Sequence, residues 1–224
     1  MLISHKHKFI TIDIPKTGTR TLRETLRSVG SVDFYGKAGD SNHFFYQHGN
    51  IIGCEKGFKD RGWDFDDYFK FSVVRNPWRR YVSLLLYKIN KAKQYRNYTE
   101  EERENCSPIK KKQGKHCLKH WNAFGRDENK FLKAIIKNNP SQQNFICDQN
   151  GEVQIDLIGQ LESIHRDFAI FCEEVGVLPI PDLKHSNKNS YEKPYTEYYT
   201  QELIDTVAGK ESWAIEKFSY NFSE

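Results

Sequence analysis

Long apolar runs are missing from this 224-residue chain: nowhere do hydrophobic residues continue for the roughly 20 positions that a membrane-spanning helix requires. No membrane span is therefore expected. The opening Met1-Leu2-Ile3-Ser4-His5-Lys6-His7-Lys8 also lacks an apolar core of signal-peptide length. A large excess of charge of one sign is missing as well. The 34 Lys and Arg stand against 30 Asp and Glu, and a net charge of +4 is too small to argue for nucleic acid. It suits an anionic small molecule if the excess is focused in a cleft. The five cysteines, Cys54, Cys106, Cys117, Cys147 and Cys172, form no paired framework and are odd in number, so reduced thiols and a cytoplasmic setting are expected. Cys106, His116, Cys117 and His120 match no zinc-ligand spacing, and no metal site is expected. Internal repeats and low-complexity segments are absent too.

What is present is a good supply of core side chains, 38% hydrophobic and 14% aromatic, enough for one domain over residues 1–224. Apolar runs alternate with helical periodicities, which predicts an α/β fold. The run Phe9 to Ile14 reads as a strand and leads into Pro15-Lys16-Thr17-Gly18-Thr19-Arg20-Thr21, after which Leu22, Leu26 and Val29 recur at helical spacing as far as Gly30. A turn from a strand into a helix offers unpaired N–H groups and the positive end of the helix dipole, a site for phosphate or another oxyanion. Gly18 lets the backbone approach a ligand. Thr17, Thr19 and Thr21 add hydroxyls, and Lys16 and Arg20 add positive charge. The Gly-x4-Gly-Lys-Ser/Thr pattern of nucleotide triphosphatases is not here, because Lys16 precedes Gly18 and the first glycine is missing.

Residues 31–62, rich in Gly, aromatics and polar residues, read as a loop region or short elements that could carry active-site groups. A second unit follows. Tyr68 to Val74 reads as a buried strand, Arg75-Asn76 as its exit and Pro77 as the first helical residue. Val82, Leu85, Leu86 and Ile89 form the apolar stripe of that helix, with Arg79, Ser83 and Tyr87 on another face. From about 92 to 127 the pattern dissolves into charge, as in Lys110-Lys111-Lys112, and predicts an inserted exposed helix or mobile loop. A helix is expected over Glu128 to Lys137, a hairpin or strand pair around Asp148-Gln149-Asn150-Gly151, and a helix from about Glu162 to Val175 that stops at Gly176. A polar loop with His185, Lys188 and Lys193 precedes helical patterns around Leu203 to Val207 and Trp213 to Phe218.

Pro15-Lys16-Thr17-Gly18-Thr19 resembles the 5′-phosphosulfate loop of sulfotransferases that use 3′-phosphoadenosine 5′-phosphosulfate (PAPS). Arg75-Asn76-Pro77-Trp78-Arg79-Arg80-Tyr81-Val82-Ser83 resembles their 3′-phosphate motif, in the version of the carbohydrate group that includes heparan and chondroitin enzymes. The two stand in the right order about sixty residues apart. The stretch from Asp156 to Phe222 is similar to that group as well. The resemblance implies a P-loop-like three-layer fold with a central, mostly parallel sheet flanked by helices. It also implies that Lys16, Thr17, Gly18, Thr19, Arg20 and Thr21 hold the 5′ end of PAPS, and Arg75 and Ser83 the 3′-phosphate. Lys16 would stabilise charge on the leaving oxygen as the sulfur–oxygen bond breaks, releasing 3′-phosphoadenosine 5′-phosphate (PAP). No metal is implied.

The acceptor hydroxyl must lose a proton, and histidine suits that task near neutrality. His48 precedes the second anchor strand at about the distance where the carbohydrate sulfotransferases place a catalytic histidine; His43 is the second candidate. A glycan is the acceptor that the resemblance implies, and Lys110, Lys111, Lys112 and Lys115 would steer an acidic one. Arg20 stands where many relatives carry Ser or Thr, which leaves acceptor choice open. Two other readings stay in view: a nucleotide kinase or triphosphatase, and a catalytically silent nucleotide- or glycan-binding protein. Oligomeric state is not legible.

Overall fold

In the computed structural model, which describes residues 1–30, 32–35, 45, 47–183 and 192–223, the sheet begins with a strand that sequence reasoning passed over. β1 (Leu2–Ser4) runs antiparallel to β2 (Phe9–Ile12), with Leu2 opposite Thr11 and Ser4 opposite Phe9. Three residues are too few to show periodicity. In chain order there follow α1 (Thr19–Ser28), β3 (Phe34–Tyr35), α2 (Ile51–Lys59), β4 (Phe69–Val74), α3 (Pro77–Asn97), α4 (Glu100–Asn105), α5 (Pro108–Ala123), α6 (Glu128–Asn138) and α7 (Gln143–Ile146). β5 (Leu157–Gln160), α8 (Ile164–Glu174), α9 (Gln201–Lys210) and α10 (Ser212–Phe218) follow, with short 3-10 turns at Leu161–Ser163 and Tyr195–Tyr198.

The chain divides into two compact units, one of residues 1–76, 140–189 and 216–218, the other of 77–139, 190–215 and 219–224. The first holds the five-stranded sheet, in the order β3-β1-β2-β4-β5. β2, β4 and β5 are parallel, β3 shares their direction, and β1 alone runs against them. Alternation of side chains along the strands puts Phe9, Phe71 and Val73 on one face, where they meet Leu22 and Leu26 of α1 and Phe168 and Phe171 of α8. Phe71 and Phe171 stack with ring centroids 4.5 Å apart. On the opposite face Lys70 is almost fully buried, its Nζ lying 4.9 Å from the Phe65 ring centre and donating to Tyr68 O. Phe58 of α2 meets the Tyr68 ring edge-on at 4.9 Å, so helices cover both faces. This is the expected α/β architecture, a mostly parallel sheet flanked by helices.

The hairpin expected around Asp148 is reduced to a turn. Phe145 and Ile146 belong to the short helix α7, and the pairing that remains is the antiparallel bridge Cys147–Val153 with the backbone hydrogen bonds from Asp148 N to Glu152 O and from Gln154 N to Ile146 O, each 2.9 Å. Asp148 Oδ1 also accepts from the backbone N–H groups of both Asn150 and Glu152, so a side chain adds to the backbone bonds that close the turn. All five cysteines are free, and burial pushes the Cys54 and Cys172 thiols up to about 12, which makes them inert packing groups. No helix among the described residues is long and apolar enough to cross a membrane.

The second unit is helical. Pro77 opens α3, as its fixed φ and missing N–H favour. Val82, Leu85 and Ile89 are buried as expected, while Leu86 is half-buried. Arg79 and Ser83 depart from the expected open face: the Arg79 guanidinium lies 4.8 Å above the Tyr195 ring, and Ser83 is only 1% exposed. Trp78 donates to Ile204 O and Tyr199 Oη donates to Trp78 O, tying α9 and its approach to the start of α3.

Residues 92–127 are ordered helix. Thr99 and Glu102 form a reciprocal cap at the start of α4, and Ser107 with Pro108 starts α5. Cys117 and Trp121 are buried while the lysine run stays solvated, so one stripe suffices to dock the segment. The contact is tightest at Gly114, where an added Cβ would sit 2.6 Å from Tyr95 Cδ2 and 2.7 Å from its Cβ. Gly114→Ala should therefore lower unfolding free energy by about 1–3 kcal/mol through overpacking, despite alanine's better helix propensity. Urea titration checks this; a stabilised variant would mean that α5 shifts freely along α3.

Candidate active site

β2, β4 and β5 are parallel, so their carboxyl ends leave the sheet along one edge, where a parallel sheet presents its ligands. The Asp13–Gly18 turn leaves β2, Arg75 and Asn76 leave β4, and Leu161 and Glu162 follow β5. The three exits touch. Arg75 Nη1 donates to Lys16 O at 3.2 Å, Asn76 N donates to Glu162 Oε1 at 2.9 Å, and Gly18 lies against Leu161. Gln142 holds the Arg75 backbone from both sides, accepting from its N–H and donating to its carbonyl, each at 2.9 Å.

The turn is built for close approach. Gly18, at φ 80°, lies in the left-handed region, and a Cβ there would meet Leu161 Cδ1 at 2.5 Å. Lys16 also has a positive φ, 73°, uncommon for a residue with a side chain and held here by the surrounding turn. No side chain caps the start of α1 and no acidic residue occupies its first turn. Those N–H groups and the dipole are thus directed at whatever enters the loop.

The predicted loop residues take different places. Thr17 is fully buried and its hydroxyl donates to Ile14 O at 2.9 Å, so that hydroxyl braces the turn and is not the ligand donor expected of it. Arg20 is 69% exposed and pairs with Glu24 one helical turn on, leaving its backbone as its contribution to the loop. Thr19 is buried and Thr21 half-buried at the start of α1. Ser83 lies in the helical unit, on α3. His43, His185 and Lys188 fall outside the described residues.

Burial, reinforced by the neighbouring Arg75 charge, lowers the Lys16 ammonium to about 8. Bringing an anion there would favour its charged form again. His48 is the other titrating group of interest. Its Nδ1 lies 2.9 Å from Asp13 O, and because a carbonyl only accepts, Nδ1 carries the proton and Nε2 is the basic nitrogen of the neutral ring. Burial lowers its pKa, outweighing the opposing hydrogen bond to Asp13. Asp13 is itself held by Thr11 Oγ1 and by Arg23, whose Nε lies 3.5 Å away. His48 and Pro15 line a cavity of about 880 Å³. A neutral, oriented imidazole beside a cavity can accept a proton from a hydroxyl.

Against this geometry the family comparison is decisive. A model of the sulfotransferase family matches residues 1–218. The chain belongs to the sulfotransferase family. Comparison with the curated proteins and with the solved structures finds no match. Membership makes it a transferase of sulfuryl groups, and it places the strand, loop and helix at the start of the chain within the matched region. Sequence reasoning missed Gln142, Glu162 and Asp13, which position Arg75, Asn76 and His48. Their residue types carry no motif; only strand order could reveal them.

A sulfotransferase with these two groups should show a bell-shaped pH profile of kcat/KM. With His48 as the base, the acid limb would be loss of its neutral form, and since burial lowers its pKa, activity should persist below the roughly 6.5 of an ordinary histidine. With Lys16 required as a cation, the alkaline limb would be loss of its charge, near pH 8 in the free enzyme. His48→Gln should remove the acid limb and leave the alkaline one; an unchanged acid limb would assign the base elsewhere.

Proposed function

We propose that the chain transfers the sulfuryl group of PAPS to a hydroxyl of a carbohydrate acceptor in one in-line step, releasing PAP. The observation that carries this reading is the meeting of the Lys16–Gly18 loop, Arg75 and His48 at the carboxyl edge of three parallel strands. The loop N–H groups and Lys16 would hold the 5′-phosphosulfate. Arg75 would hold the 3′-phosphate through its guanidinium. His48 Nε2 takes the proton of the acceptor hydroxyl as its oxygen bonds to sulfur. The bond between sulfur and the bridging phosphate oxygen breaks, its electron pair stays on that oxygen, and Lys16 stabilises the charge developing there.

Calorimetric titration with PAP, and with ATP as control, tests the donor. PAP should bind and ATP should bind more weakly; the reverse preference would favour a kinase or triphosphatase. Arg75→Ala should weaken PAP by about 1.5–3 kcal/mol, the range for a lost hydrogen bond to a charged group, and affect turnover at saturation less. Radiolabelled transfer to a carbohydrate panel tests the chemistry, and PAP binding without transfer would indicate a silent binding protein.

A further inference from the structure

The cavity beside His48 has a chemical character of its own. At about 880 Å³ it lies within the range of small-molecule pockets, about 300–1,000 Å³. All of its described lining residues belong to the sheet-bearing unit: Pro15 and His48, Asn50 and Ile52 at the start of α2, and residues of the segment from Pro140 to Gly151. Its polar lining is dominated by carboxamides, Asn50, Gln143, Asn144 and Gln149, with Asp148 as the one acidic side chain. No lysine or arginine lines it among the described residues. The lysine run of α5 is in the other unit.

The hydrogen bonds sharpen this picture. Asn50 Oδ1 accepts from Gly53 N, and Asn144 Oδ1 accepts from both Ser141 N and Ser141 Oγ. With those oxygens engaged, the amide Nδ2 groups are turned to donate. Asp148 is fixed by Asn150 N, Glu152 N and Gln154 Nε2 at 2.8–3.2 Å, and a carboxylate keeps further lone pairs for a ligand. The lining therefore mixes donors with an acceptor. A hydroxyl both donates and accepts, so it can satisfy both kinds of group. A carboxylate or sulfate ester only accepts, would shed water on entry, and would meet the Asp148 carboxylate with no lysine or arginine among the described lining residues.

We propose that this cavity is the acceptor site and that it selects an uncharged, hydroxyl-rich acceptor over an anionic one. The inference rests on the sulfuryl-transfer reading above, and it replaces the expectation, drawn from Lys110, Lys111, Lys112 and Lys115, of an acidic acceptor.

The test separates the two readings. PAP binding by calorimetry reports on the donor site alone. With PAP saturating, binding of p-nitrophenyl β-D-glucoside and p-nitrophenyl β-D-glucuronide is then compared by saturation-transfer NMR. The pair differs only in a CH2OH against a carboxylate. The glucoside should bind about tenfold more tightly, the factor that corresponds to about 1.4 kcal/mol. Gln149→Lys, at an exposed lining position, should improve the glucuronide relative to the glucoside about fivefold by adding a cation a few ångströms from its carboxylate. Equal affinities, preference for the glucuronide, binding of neither compound, or a Gln149→Lys variant with unchanged preference would overturn the proposal. If PAP binds in any of those cases, the donor reading stands.

Discussion

Lys16→Ala should lower kcat by about 10²–10³-fold, the usual loss when a preorganised group that stabilises developing charge is removed. PAP affinity should fall much less, since the loop N–H groups and the uncapped start of α1 remain. The physical reason is timing. In the ground state the bridging oxygen carries little charge, whereas in the transition state it takes the electron pair of the breaking bond, and a nearby ammonium gains most there. Desolvation sharpens the effect. The same burial that lowers Lys16 to about 8 strengthens its field on the reacting atoms, and a pKa near 8 still leaves most of it charged at neutral pH. Single-turnover sulfation with saturating PAPS, beside calorimetry with PAP, separates the two quantities. A variant that loses PAP affinity in proportion to rate would place Lys16 in binding and not in bond breaking.

Glu211→Ala should destabilise the helical unit by about 3–5 kcal/mol, the cost of leaving one partner of a buried ion pair uncompensated. Arg80 and Glu211 are each 1% exposed, with Nη1 and Oε1 2.9 Å apart, and Tyr81 Oη donates to the same oxygen at 3.0 Å. Burial and the Glu211 charge both push the Tyr81 phenol upward, so it stays a donor throughout the working pH range. Against a typical stability of about 5–15 kcal/mol, the loss is large. Chemical denaturation measures it. The double variant Arg80→Met, Glu211→Leu should recover much of the loss, because the orphaned charge is then gone as well. A Glu211→Ala variant within about 1 kcal/mol of the parent would show that water reaches the guanidinium.

These two networks show why parts of the chain were legible and others were not. The turn after β2, the strand before Arg75, the helix opened by Pro77 and the stop at Gly176 were all readable, since each depends on residues within one or two turns of each other. Residues 92–127 were legible only in part. Their charge density left exposed helix and loop open, and the stripe of Gly114, Cys117 and Trp121 that seats α5 shows why helix is the outcome. The turn at Asp148 differs in another way, a single antiparallel bridge braced by a side-chain carboxylate standing where a longer strand pair was expected. Thr17 shows the limit of motif reading, for the residue type fits an anion loop while its hydroxyl is directed inward to Ile14.

By itself the amino-acid order determined the α/β class, the strand–turn–helix units after β2 and β4, and the family likeness, because short-range periodicity, turn chemistry and motif spacing are properties of neighbouring residues. The tertiary structure alone decided that Arg75 reaches the Lys16 carbonyl, that Asp13 orients His48, that Gln142 and Glu162 secure the end of β4, and that a carboxamide-lined cavity lies beside the histidine. Those contacts join segments tens of residues apart, and only the parallel order of β2, β4 and β5 brings their carboxyl ends together.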